Sequence, residues 1–97
     1  TVRLRETDVP VRDSVRMVCE MLGYDPYYLA CEGRATAIIA ADQAESLVTA
    51  WQEYPEGEGA AVIGENEEGP ARIVLETELA GERMLDDLEE DPLPRIC

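Results

Sequence analysis

The chain has 97 residues and a formal charge of −14, and all eight of its basic residues are arginines. Without histidine there is no Ser/His or Cys/His pair and no imidazole metal ligand; without lysine there is no Schiff base and no P-loop amine. A surface this acidic repels nucleic acid and anionic lipid, and a chain of this length buries about 60 to 65% of its unfolded surface, which allows one modest core.

Val2-Arg3-Leu4-Arg5-Glu6 alternates apolar and polar residues, the period of a half-buried strand, and Asp8-Val9-Pro10 breaks it. From Val11 to Leu22 the positions Val11, Val15, Val18, Cys19 and Leu22 fall at helical spacing, with Gly23 as the stop. Asp25-Pro26 turns the chain into Tyr27–Cys31, read as a second strand. Glu32-Gly33 interrupts it, and Arg34 to Ala41 reads as a third. Asp42 and Glu45 stand in capping-box spacing before a second helix carrying Leu47, Val48, Trp51 and Tyr54, which has to end before Pro55. Ala60 to Gly64 is expected to be a short buried strand, Asn66 to Pro70 a turn, Arg72 to Thr77 a strand, and Arg83 to Leu85 a last short one.

This order predicts an α+β fold, a βαββαβ sandwich related to the ferredoxin-like arrangement, with appended strands. Residues 1–87 are expected to form one domain. Residues 88–97 are expected to form an extended C-terminal arm, because Pro92 and Pro94 favour extended backbone and remove two donors from any ladder. No apolar run approaches the roughly 20 residues that span a bilayer, and no signal peptide is visible. The chain begins with Thr1 in a strand-like run and is expected to be part of a longer protein.

Cys19, Cys31 and Cys97 are odd in number and widely spaced, so a disulfide framework or zinc site is not expected, and reduced thiols in a cytoplasm fit better. Cys19 lies on the apolar side of the first helix and is read as core. Cys97 has nothing after it to bury it, and an arm ending in a soft nucleophile suits delivery of sulfur to another site. The same sequence also suits a terminus that merely ends in cysteine. Glu32, taken alone, is a surface carboxylate beside a glycine. The acidic runs at 65–68 and 86–91 lack EF-hand spacing, and the glycines at 57, 59 and 64 form no phosphate-binding motif.

The ending Pro94-Arg95-Ile96-Cys97, the block Val18-Cys19-Glu20-Met21-Leu22-Gly23-Tyr24-Asp25-Pro26, the segment Tyr28-Leu29-Ala30-Cys31-Glu32-Gly33-Arg34 and Ala61-Val62-Ile63-Gly64-Glu65 together resemble the C-terminal domain of the hydrogenase-maturation family HypE. The resemblance implies a domain like that of aminoimidazole ribonucleotide synthetase. It implies a terminal cysteine, here Cys97, that accepts a carbamoyl group from HypF and carries it through ATP-dependent dehydration to a thiocyanate. The cyano group then passes to iron on HypC and HypD, for nickel-iron hydrogenases. Glu32 matches a glutamate implicated as base, and Pro94, Arg95 and Ile96 form the arm motif. The family's ATP- and magnesium-binding domain, which also forms the dimer, has no counterpart in these residues, so this chain alone is expected to bind no cofactor or metal and to lack dehydratase activity. Self-association is a further expectation, and the alternative reading is a non-catalytic docking module for maturation partners.

Overall fold

A computed structural model describes residues 1–29 and 33–86. The chain divides into two compact units, Thr1–Pro10 with Ala37–Asp86, and a second that contains Val11–Thr36.

The first unit holds a four-stranded sheet of β1 (Val2–Arg5), β2 (Gly64–Asn66), β3 (Ile73–Glu76) and β4 (Glu82–Met84), in the order β2-β1-β3-β4. β1 runs parallel to β3 and antiparallel to β2, and β4 returns antiparallel along β3. β1 is fixed on both edges: the Arg5 amide donates to the Ile63 carbonyl and the Val2 amide to the Arg72 carbonyl, both at 2.9 Å. Val74 and Leu75, neighbours in β3, are 2% and 0% exposed. Successive strand side chains point to opposite faces, so both faces are covered at the middle of β3, and the core of this unit sits there.

The β3–β4 connection is a tight hairpin. The Thr77 amide donates to the Gly81 carbonyl at 2.9 Å and the Ala80 amide to the Thr77 carbonyl at 3.1 Å. This closure puts Ala80 at φ 62°, the left-handed region, where a Cβ is unfavourable. Gly64 is demanded for a different reason: a Cβ there would overlap the Arg3 carbonyl oxygen across the β1–β2 ladder.

The second helix, α2, spans Ala44–Gln52 in the same unit. The capping box expected from Asp42 and Glu45 does not form. A 3-10 turn over Ala41–Gln43 takes Asp42 up, the Gln43 amide donating to the Ala40 carbonyl at 3.0 Å, and Gln43 becomes the N-cap residue without a side-chain bond. The helix stops before Pro55 as its sequence requires.

In the second unit α1 covers Asp13–Leu22 and ends on Gly23 at φ 72°, whose amide reaches the Cys19 carbonyl. Arg12 is extended at ψ 143°, which leaves Val11 outside the helix. Cys19 is 3% exposed, the core position expected of it.

Among the described residues, neither the strand expected at 27–31 nor the one expected at 34–41 is seen as a strand. Pro26–Tyr28 is a 3-10 turn because the Asp25 carboxylate accepts from the Tyr27 amide at 3.1 Å and proline occupies its first turn, a local closure that outcompetes extension. Residues 34–40 join no ladder among the described residues and are exposed. The strand expected at 60–64 begins at Gly64 instead, where its first ladder partner is Leu4. Among the described residues the order is therefore β, α, α, β, β, β in a mixed sheet, in place of βαββαβ with a mainly antiparallel one.

Leu75→Ala is expected to cost about 2 to 5 kcal/mol in denaturant unfolding. Ala80→Gly is expected to leave stability unchanged or raise it by up to about 1 kcal/mol, since it removes left-handed strain but adds unfolded-state entropy.

Candidate functional site

The residues singled out for chemistry, Cys97, Glu32 and the arm motif Pro94, Arg95 and Ile96, lie outside the described residues, as does Cys31. What the structure does describe is the scaffold that leads into Glu32. Gly23 reverses the chain after α1, and the Tyr24 amide donates back to the Cys19 carbonyl at 2.9 Å. The Asp25 turn then redirects it, with the Tyr28 amide on the Asp25 carbonyl at 3.1 Å. Leu29 is thereby brought back beside the helix. Ser14, Val15, Val18, Cys19, Leu22, Tyr24 and Leu29 line an apolar groove of about 340 Å³ within this unit. Sequence reading placed Val15, Val18 and Leu22 at helical spacing with Cys19 on the first helix; in the structure they are 38%, 51% and 60% exposed. The groove follows from the turn at Asp25, which strand-like composition at 27–31 concealed.

A second cluster occupies one face of the sheet. Arg3 donates through Nε to Glu67 Oε1 at 3.2 Å and through Nη1 to Glu82 Oε2 at 3.0 Å, with Glu76 Oε1 at 3.6 Å. One guanidinium thus links β1, β3, β4 and the residue that follows β2. Arg5 adds a pair with Asp8 at 2.5 Å and a longer one with Glu65 at 3.8 Å. The hydrogen bonds that Arg3 donates to Glu82 and then to Glu67 raise its pKa, and the one that Arg5 donates to Asp8 raises the Arg5 pKa, against the opposing effect of desolvation. Raised arginine pKa values stabilise the fold at every pH below the ordinary arginine range and lose that contribution only above it. These two groups therefore impose no pH dependence near neutrality.

Among the described residues no group of three metal-ligating side chains converges, and no helix is long and apolar enough to cross a membrane. Nor do these residues fit a nucleotide. Gly64 is committed to the β1 contact, and α1 opens after Arg12 and not after a glycine loop.

No protein-family model matches the chain. Against curated proteins, it is 45% identical over 97 residues to carbamoyl dehydratase HypE of Azotobacter vinelandii, an alignment that takes in 99% of this chain and 28% of that protein. The chain is similar to one part of the HypE proteins. It spans little more than a quarter of the length of the relative it matches. A crystal structure of the hydrogenase maturation protein HypE in complex with ATP superposes with a TM-score of 0.86 at 41% identity, over 94% of this chain and 29% of that one. HypE in a HypE–HypF complex gives a TM-score of 0.82 at 28% identity, over 88% and 28%. The α+β architecture, with its mixed four-stranded sheet and two helices, is thus that of a region of HypE.

Replacing Arg3 by glutamine is expected to lower the thermal midpoint at low salt. The difference should shrink at high salt, because exposed ion pairs are screened; melting both proteins at two ionic strengths checks this.

Proposed function

We propose that the chain acts as the carrier part of a HypE-like carbamoyl dehydratase, with Cys97 as the acceptor thiol. The observation that carries the proposal is the 45% identity to HypE of Azotobacter vinelandii over 99% of this chain and 28% of that protein. The finer fold assignment, a ferredoxin-like-related domain of the aminoimidazole ribonucleotide synthetase type with an arm at 88–97, belongs to the same proposal.

The chemistry suits a thiol. A cysteine thiolate attacks the carbonyl carbon of an activated carbamoyl donor, a carbon–sulfur bond forms, and the donor's leaving group departs. Loss of water from the resulting thiocarboxamide gives a thiocyanate, whose sulfur then serves as leaving group when the cyano carbon moves on. One atom accepts and releases. Glu32 is assigned as the base that removes amide protons during dehydration, and Arg95 as the cation that orients a phosphate or a partner carboxylate. An ATP-dependent step is assigned, within this proposal, to the remainder of a HypE-like protein, in keeping with the solved HypE structure in complex with ATP, of which this chain matches 29%.

The donor partner is proposed to be a HypF-like carbamoyltransferase, supported by the solved HypE–HypF complex among the similar structures. The acceptor is proposed to be an iron-carrying complex of the HypC and HypD type.

Incubation of the chain with a HypF-type enzyme, carbamoyl phosphate and ATP is expected to add one carbamoyl group, mapped by peptide mass spectrometry to Cys97. Cys97→Ser should abolish it. An adduct of equal yield in the serine variant would remove Cys97 from the reaction.

A further inference from the structure

Between Arg34 and Asp42 the sequence Ala35-Thr36-Ala37-Ile38-Ile39-Ala40-Ala41 carries no charge, no proline and no glycine, and three of its side chains are β-branched. The structure leaves residues 34–40 outside every ladder among the described residues, with Ile38 66% and Ile39 39% exposed. The backbone of residues 35–39 enters no hydrogen bond there, and the Ala40 carbonyl accepts from the Gln43 amide at 3.0 Å. Unpaired strand-forming backbone flanked by open β-branched side chains recruits another strand.

The ends of the segment select that strand. One end is positive and the other negative, so two copies laid antiparallel about a twofold axis at Ile38 place Arg34 of each opposite Asp42 of the other. The same axis sets Ile38 against Ile38, Thr36 against Ala40 and Ala37 against Ile39. A parallel, in-register pair would instead oppose Arg34 to Arg34 and Asp42 to Asp42. We propose that residues 35–41 form an antiparallel ladder with the same residues of a second copy, closed at both ends by Arg34–Asp42 pairs.

The turn at Ala41–Gln43 fixes which groups bond. Because the Ala40 carbonyl is committed to Gln43, it faces away from the partner. Both backbone groups of a strand residue point to one edge, and the next residue points to the other. Ala37 and Ile39 therefore exchange the hydrogen bonds, and the two Ile38 side chains meet at a close, non-hydrogen-bonded position. The chain's charge of −14 opposes the encounter, but at about 0.15 M salt the screening length is about 8 Å, and pairs in contact keep their attraction. So short a ladder gives a weak dimer. The contact uses residues of this chain alone and does not depend on Cys97 being a carbamoyl acceptor.

The test is sedimentation equilibrium of the full 97-residue chain at about 0.15 M salt, from micromolar to millimolar concentration, where a monomer–dimer equilibrium is expected. Arg34→Asp alone, or Asp42→Arg alone, sets like charges opposite each other at both ends and should weaken dimerisation about tenfold. Mixing the two variants should restore it, because every opposed pair then has opposite signs. In concentrated wild-type chain, hydrogen exchange should slow at the Ala37 and Ile39 amides and not at those of Ile38 and Ala40; this pattern reads out even if a charge variant folds poorly. A wild-type chain that stays monomeric at millimolar concentration would overturn the proposal. A dimer that both single variants leave at full strength, or whose exchange pattern lacks the slowing at Ala37 and Ile39, would also overturn it, by assigning association to another surface.

Discussion

Val2–Arg5 meets Ile73–Glu76 in a parallel ladder, so two four-residue segments about 70 positions apart have to find each other before the sheet exists. Closing a loop of that length costs about 4 kcal/mol in chain entropy, apart from constant contributions. Burying Val74 and Leu75 returns about 1.5 to 3 kcal/mol each, which is of the same size. Every other strand is added to this pair: β2 on the free edge of β1, and β4 through a hairpin of low closure cost. Arg3 reinforces it from one face by reaching carboxylates on or next to the three other strands. Because those pairs are exposed, they fix register more than they add stability.

This dependence explains what was legible from sequence. β1 and β3 carry the alternation or apolar run of a strand that covers a core, and both were read nearly to the residue. α1 was legible from its spacing and from Gly23, which the helix needs at φ 72°. Where local chemistry competed with composition, composition misled. Tyr27 and Tyr28 are strand formers by type, yet one carboxylate at Asp25 and one proline hold them in a 3-10 turn. Ile38 and Ile39 have strand character but no ladder partner among the described residues. β2 was displaced because its limits are set by the length of β1, which a reading of residues 60–66 alone does not contain.

The candidate chemistry was legible in another way. Cys97 and Glu32 stood out through residue types and short motifs that match HypE, and not through any periodicity, because reactive groups need not follow the spacing of a core. The groove on α1 was not legible, since Val15, Val18 and Leu22 look the same in a sequence whether they are covered or open.

The central claim is that this chain does the carrier's work of a HypE protein through Cys97. Replacing the matching 28% of Azotobacter vinelandii HypE with these 97 residues, in a strain lacking its own HypE, tests it most directly through the hydrogenase activity of the cells. The account predicts that the chimera restores activity and that the same chimera with Cys97→Ala does not. Equal activity with and without the thiol, or none from a chimera that accumulates as folded protein, would contradict it.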